Sequence, residues 1–178
     1  MNTQRIKNER KAPLSIKEIA VFSMLGALMF ISKIIMEPLP NIHLLGMLTM
    51  VCTVAFGKKA LYPIYLNVFL NGIYAGFTFW WLPYLYIWTI LWAVTILLPK
   101  NMSQKTAMIV YPIVCALHGA FYGILYAPSQ ALIFGYNFEQ TLAWIIAGLL
   151  WDLIHAAGNL FLGLLVYPLS LLLKKITR

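Results

Sequence analysis

Residues 140–173, QTLAWIIAGLLWDLIHAAGNLFLGLLVYPLSLLL, form an apolar run that contains one charged side chain, Asp152. An α-helix needs about 20 predominantly apolar residues to cross a bilayer, so this run is longer than a single crossing. We expect Pro168 to mark a bend or the end of the helix, because proline lacks the backbone N–H that helical hydrogen bonding needs. The run therefore predicts a membrane helix followed by an interfacial tail.

The rest of the chain has the same character. Of its 178 residues, 62% are hydrophobic and 10% are charged, and the mean hydropathy is +0.81. Such a chain cannot place its apolar residues in one water-soluble core and still cover itself with polar surface. Charges, prolines and polar turns delimit five further helices before residues 140–173. The predicted fold is thus an all-α integral membrane protein, a compact bundle of six transmembrane helices over 18–36, 42–56, 60–77, 80–98, 106–134 and 140–173.

The positions of lysine and arginine predict the orientation of this bundle. Positive residues are retained on the cytoplasmic side of a membrane. Twelve of the thirteen lysines and arginines lie in the N-terminal tail, between helices two and three, between helices four and five, or after helix six. Only Lys33 lies near the opposite face. This pattern predicts two cytoplasmic termini: a basic N-terminal tail over 1–17, a transmembrane domain over 18–173 and a basic C-terminal end over 174–178.

The sequence lacks the motifs of several functional classes. No GxxxxGK[ST] loop is present, so any ATP-driven process would take its energy from a partner protein. The basic residues are dispersed between apolar segments, which does not indicate nucleic-acid binding. Cys52 and Cys115 have no CxxC spacing and no companion histidine cluster, so we expect two small buried residues and neither a metal site nor a cofactor in this chain.

The most informative polar residues lie within residues 151–159. Ionisable groups inside a membrane are expensive and are functional candidates by default. Helical spacing predicts one face, formed by Trp151, Asp152, His155 and Asn159. One interpretation is a ligand cavity in which these side chains stack and form hydrogen bonds. The other is that Asp152 and His155 satisfy each other or a neighbouring helix and hold the bundle together.

Aromatic residues concentrate around residues 74–88. Trp81, Tyr84 and Trp88 follow helical spacing and would present flat surfaces to an aromatic ligand if they face inward. Trp and Tyr also favour membrane interfaces, so an aromatic belt is the alternative. The segment with Glu37, Asn41 and His43 also contains Pro38 and Pro40, which make it short and rigid. It is predicted to be either an entrance to the cavity or only a turn. For His118, a single interhelical hydrogen bond is favoured.

Small residues lie at intervals of three and four along the first helix: Ala20, Ser23, Gly26 and Ala27. Such a face allows another helix to approach closely. Docking of a partner protein and packing inside the bundle use the same chemistry, so both interpretations stay open.

These features together resemble the substrate-binding S components of energy-coupling factor transporters. The resemblance rests on the length, the six helices, the basic N-terminus, the small residues of helix one and the polar stripe of the last helix. The Ala-x-x-x-Ala pattern common in that family is replaced here by Ser23-x-x-x-Ala27. The resemblance implies a multi-pass protein of a prokaryotic cell membrane that captures a vitamin or related micronutrient. Its partners would be one membrane coupling subunit and two cytoplasmic ATPases.

The resemblance also implies a pocket in the outer half of the bundle. The residues here that fit it are Trp81, Tyr84, Trp88, Trp144, Trp151, Asp152, His155 and Asn159. Their aromatic character favours a planar heterocycle over an aliphatic acid. A non-enzymatic transport subunit is therefore the predicted function. The alternatives are a stand-alone secondary permease, a membrane enzyme using Asp152 and His155 as base and acid, and a purely structural subunit.

Overall fold

The computed structural model describes residues 14–177, and over this range every regular element is helical. Most of the predicted basic tail, residues 1–13, lies outside the described residues, as does Arg178 of the predicted C-terminal end. The helices are α1 (Ile16–Ile35), α2 (Leu45–Phe56), α3 (Leu61–Ala75), α4 (Tyr84–Leu97), α5 (Gln104–Ala120), α6 (Tyr122–Phe134), α7 (Phe138–Gly163) and α8 (Val166–Thr177). A short 3-10 turn, Gly57–Ala60, joins α2 to α3.

All six predicted segments are helical, and two of them are divided. The predicted helix over 106–134 is interrupted at Phe121, which separates α5 from α6. The predicted helix over 140–173 is interrupted at Leu164 and Leu165, before Pro168. Proline has no N–H to donate to the carbonyl four residues earlier, so its effect falls one turn upstream of the ring. The predicted bend is therefore present, but it precedes Pro168.

Polar caps explain where the long helices begin. Ser15 accepts a hydrogen bond from the Glu18 N–H, and the Glu18 side chain accepts one from the Ser15 N–H, which forms a capping box for α1. Asn137 and Gln140 form the same arrangement at the start of α7. These caps satisfy backbone N–H groups that have no partner within the helix.

The core is centred on α2, which is enclosed by other helices. Residues 45–53 of α2 are all buried, and α4, α5, α7 and α8 pack around it. With 12 residues, α2 is about 18 Å long, shorter than the roughly 30 Å hydrocarbon core of a bilayer. The structure accounts for this short helix by its enclosure within the protein.

Glycines allow α7 to approach α5 closely. A Cβ atom at Gly119 of α5 would lie 2.9 Å from the Ala156 backbone nitrogen of α7. A Cβ atom at Gly163 of α7 would lie 2.6 Å from the Pro112 Cα of α5. Both distances are to backbone atoms, which cannot move aside by a side-chain rotation. The α5–α7 contact therefore has no space for a side chain at either glycine.

The two ends of the bundle differ in charge. Two grooves of about 590 and 700 Å³ lie at one end, and the lysines that line them come from different elements: Lys17, Lys58, Lys100 and Lys174. We call this the basic end. A smaller cavity lies at the opposite end, where α1 ends and α4 and α6 begin. We call this the cavity end.

Three helical stretches are long and apolar enough to cross a membrane, judged by length and composition. They are α1, the α5–α6 stretch and α7. In each, at most 33% of the most apolar window is buried inside the protein. Most of the apolar side chains of these stretches therefore face outward.

Replacing Gly119 with alanine should destabilise the fold, because the added methyl group has to displace the α7 backbone. We expect Gly119→Ala to lower the free energy of unfolding by about 1–3 kcal/mol. The control is Gly148→Ala in α7, where a Cβ atom meets nothing within 4 Å. Thermal unfolding of both variants in detergent measures the difference. Equal melting temperatures would contradict the close α5–α7 packing.

Candidate ligand-binding cavity

All three histidines of the sequence meet near the cavity end of the bundle. They come from separate elements: His43 from the loop between α1 and α2, His118 from α5 and His155 from α7. The rings of His43 and His155 are 4.7 Å apart. Trp88 of α4 joins the group, with its ring 6.0 Å from that of His43 and 5.6 Å from that of His118.

A cavity of about 220 Å³ lies beside this cluster. Its wall is formed by α1, the loop that follows it, α4, α6 and α7. The lining residues are Lys33, Met36, Glu37, Leu39, Asn41, Ile42, His43, Tyr84, Tyr122, Tyr126 and His155. The cavity thus has one cation, one exposed carboxylate at its rim, two imidazoles and three phenol rings.

Four buried nitrogen atoms of the cluster have no hydrogen-bond partner among the described residues: His43 Nδ1, Trp88 Nε1, His118 Nδ1 and His155 Nε2. An unsatisfied buried polar group costs about 1–3 kcal/mol, so such atoms are uncommon away from binding sites. Burial lowers the pKa of the His43 imidazole to about 4, and the positive charge of Lys33 acts in the same direction. His43 is therefore neutral at pH 7, with one ring nitrogen able to donate and the other able to accept.

Asp152 has a different role from the one expected for a ligand contact. Both of its carboxylate oxygens accept a hydrogen bond from the Gly123 N–H, each at 3.1 Å. Gly123 is in the first turn of α6, where unpaired N–H groups and the helix dipole favour a negative charge. A side chain at Gly123 would overlap the carboxylate. Asp152 therefore fixes α6 to α7 just beyond the break at Phe121.

Asp152 and His155 do not pair with each other. The His155 Nε2 atom has no partner, and the Asp152 oxygens bond only to Gly123 among the described residues. Asn159, one turn further along α7, donates a hydrogen bond to the Cys115 carbonyl of α5 at 3.1 Å. The three buried polar residues of α7 therefore divide their roles, since two bind neighbouring helices and His155 lines the cavity.

Two of the predicted pocket tryptophans are not at the cavity. Trp151 is 48% exposed, whereas Asp152, His155 and Asn159 are buried. At 100° per residue, position 151 is about 75° from the middle of that buried stripe, so a large side chain there turns outward. Trp81 precedes α4, so helical spacing does not apply to it, and its Nε1 atom donates to the Val68 carbonyl of α3 at 2.8 Å. The structure corrects the prediction for both residues.

The other predicted aromatic residues surround the cavity at two levels. Tyr84 lines it directly. Trp88 is 2% exposed and lies deeper, with its ring 6.2 Å from that of Tyr84. Trp144 stacks on Tyr126, with centroids 6.0 Å apart and planes at 22°. Trp144 therefore packs against a lining residue, Tyr126, and is not itself a lining residue.

The predicted entrance segment does cover the cavity. Glu37, Asn41 and His43 are all lining residues. Asn41 adopts a positive φ of 55°, and its side-chain nitrogen donates to the Trp151 carbonyl of α7 at 3.1 Å. Asparagine tolerates this left-handed conformation better than most residues. The loop is thereby attached to α7 over the cavity.

The small residues of α1 do not form one free surface. Gly26 is buried, and a Cβ atom there would lie 2.8 Å from the Leu66 side chain of α3. Ala20 and Ser23 are exposed and Ala27 is partly buried. Packing inside the bundle accounts for Gly26, and docking of a partner remains a prediction for the exposed positions.

The prediction from sequence did not identify three polar lining residues as ligand contacts: Lys33, Tyr122 and Tyr126. A signal existed for each. Lys33 is the one cation that departs from the charge pattern, and Tyr122 and Tyr126 are separated by four residues, so they share a helix face. His118 forms the expected interhelical contact, at 3.3 Å to the Ile87 carbonyl. Its ring also lies next to those of Trp88 and Tyr122.

Comparison with known proteins adds no relative to this description. No protein-family model, no curated protein and no solved structure matches the chain. The function proposed below therefore rests on the residues and contacts described above.

Removing the Asp152 carboxylate should destabilise the junction between α6 and α7. We expect Asp152→Ala to lower the free energy of unfolding by about 1.5–3 kcal/mol, the usual contribution of a hydrogen bond to a charged group. Asp152→Asn should cost less, because its amide oxygen can still accept from Gly123. Glu139→Gln removes an exposed carboxylate from the same helix and serves as the control in thermal unfolding. An unchanged melting temperature for Asp152→Ala would show that the contact does not stabilise the fold.

Proposed function

We propose that this protein is a membrane-embedded substrate-capture subunit, of the S-component type, that binds a small planar compound for import. The observation that carries the proposal is the cavity beneath the loop between α1 and α2. Five segments bring aromatic walls and unpartnered ring nitrogens to one place, as compact ligand sites do. A scaffold stabilised only by packing has no need for such an arrangement.

The exposed apolar surface supports insertion into a membrane. Large apolar side chains are exposed along α1, α5, α6 and α7. Water-soluble monomers rarely carry contiguous apolar patches of more than a few hundred Å². Lipid is the natural solvent for this surface. In this proposal the three long helical stretches cross the membrane, and α2, α3 and α4 complete six crossings.

The distribution of charge supports the orientation with both termini in the cytoplasm. The lysines of the basic end would face the cytoplasm under the positive-inside rule. The cavity would then open toward the outside, where a substrate for import is captured. The direction of transport and the position of the cavity are thus mutually consistent.

Energy for import would come from other subunits, because the sequence has no phosphate-binding loop. In the proposed arrangement a membrane coupling subunit and two cytoplasmic ATPases drive release of the substrate. The enzyme alternative would need Asp152 and His155 to act as a pair, and the described contacts do not pair them. A permease would need the cavity to open to both sides of the membrane.

Binding by the isolated chain is the direct test. The protein is purified in detergent from cells grown in rich medium and is then denatured. We expect it to release one compound in about equimolar amount, which mass spectrometry identifies. Adding that compound back to ligand-free protein should quench tryptophan fluorescence, because Trp88 lies beside the cavity. Uptake into cells should require ATP and the coupling subunits. Uptake by this chain alone down a gradient would support the permease instead.

The orientation can be tested with single cysteines, because Cys52 and Cys115 are buried. We expect a membrane-impermeant maleimide to label Glu139→Cys, at the cavity end, in intact cells. Asn101→Cys, at the basic end, should react only after permeabilisation. Both positions are exposed in the structure, so accessibility within the protein is matched. The reverse pattern would place the cavity on the cytoplasmic side.

A further inference from the structure

Lys33 is the one lysine of the described residues that lies at the cavity end. It is in the last turn of α1, whereas the lysines that line the two grooves are all at the basic end. A positive charge near a helix C-terminus is favourable, which gives Lys33 a partial structural explanation. That explanation does not account for where its ammonium group lies, since the group points to the cavity wall.

The contacts of the Lys33 ammonium leave it able to bind an anion. Its Nζ atom donates one hydrogen bond to Asn71 Oδ1, at 2.7 Å. Asn71 is itself held by hydrogen bonds to Asn67, so the acceptor is fixed on α3. An ammonium group has three N–H donors, so two remain. The sole ion pair of residues 14–177 joins Lys59 to Glu18 at the basic end, and Lys33 has no carboxylate at ion-pair distance.

The aromatic residues around Lys33 define the space next to this charge. The Nζ atom is 5.5 Å from the ring centroids of both Trp80 and Tyr84. Tyr84 faces the cavity together with Tyr122 and Tyr126, and the Tyr122 ring is 5.0 Å from that of His155. A flat ring placed between these walls would have its edge near Lys33 and its polar atoms near the imidazoles.

The imidazoles supply a second, independent indication of a polar ligand. His155 is 2% exposed, lines the cavity and has an unpartnered Nε2 atom. His43, its neighbour across 4.7 Å, has an unpartnered Nδ1 atom. Neutral imidazoles can donate to or accept from the ring heteroatoms of a ligand. The site therefore combines one cation with two uncharged hydrogen-bonding groups, and the Glu37 carboxylate is exposed at the cavity rim.

The size of the cavity limits the ligand further. Pockets for drug-sized ligands usually have volumes of roughly 300–1,000 Å³. The cavity here has about 220 Å³, which fits one or two fused rings with a small substituent. Larger conjugates would not fit without movement of the loop between α1 and α2.

We propose that the substrate is a compact aromatic or heteroaromatic carboxylate, whose carboxylate pairs with Lys33 and whose ring lies among Tyr84, Tyr122 and His155. This inference rests on the proposed function and specifies the substrate class for the same cavity. Lys33 thereby selects the acid against its neutral amide. Aromatic walls alone would bind the two forms about equally.

The test compares an acid with its amide in the protein and in two variants. The probes are the compound released from the purified protein and its amide. If nothing is released, they are benzoate with benzamide, pyridine-3-carboxylate with pyridine-3-carboxamide, and indole-3-carboxylate with indole-3-carboxamide. Isothermal titration calorimetry gives each Kd. We expect the wild-type protein to prefer the acid roughly tenfold to a hundredfold, as for a hydrogen bond to a charged group. Lys33→Gln should abolish that preference, and Lys33→Arg should retain part of it.

The control variant is Lys105→Gln, which removes an exposed lysine of α5. It should leave the preference unchanged. Melting temperatures identify any variant that fails to fold, and the acid-to-amide ratio of the wild-type protein tests the inference without any variant. A released compound that lacks a carboxylate, equal binding of acid and amide, or a preference that survives in Lys33→Gln would overturn the inference. Failure to release or bind any compound would instead overturn the proposed function.

Discussion

The contact between the Asp152 carboxylate and the Gly123 N–H joins the two halves of the site. Gly123 follows the break between α5 and α6, so the carboxylate fixes the direction in which α6 leaves that break. Tyr122 and Tyr126 lie on the first turns of α6, and their positions at the cavity depend on that direction. On the other side of Asp152, His155 lies less than one turn away on α7. One buried carboxyl group thus sets the spacing between the phenol wall and the imidazoles.

Close packing between α5 and α7 makes this contact possible. Gly119 and Gly163 bring the two helices together with no intervening side chains, and Asn159 adds a hydrogen bond to the α5 backbone. The rigid part of the site is therefore built on one helix pair. The loop between α1 and α2 is attached differently, through the Asn41 side chain to the α7 backbone. The cavity is consequently bordered by α7 of this pair and by a loop that one side-chain hydrogen bond connects to α7.

Hydrophobic patterning was sufficient to predict the helical segments, because long apolar runs and charged turns are local features. It predicted an interruption of the last segment at Pro168, which the structure places at Leu164 and Leu165, and it did not predict the break at Phe121. For the site, burial of Asp152, His155 and Asn159 followed from helical spacing. Trp151 was misplaced because it was grouped with the buried stripe, although at 100° per residue it lies about 75° from the middle of that stripe. Trp81 was misplaced because the start of α4 at Tyr84 cannot be read from spacing. The membrane setting, orientation and transport function remain proposals.

The enclosure of α2 also has a consequence for the order of assembly. Translation produces α2 before α4, α5, α7 and α8, which are the helices that enclose it. Val166 and Leu173 of α8 belong to the same buried cluster as α2. During synthesis the contacts of α2 with Val166 and Leu173 therefore form only after the last helix is made, and one side of α2 stays uncovered until then. A chain stalled before α8 would leave this side of α2 accessible to chaperones and proteases.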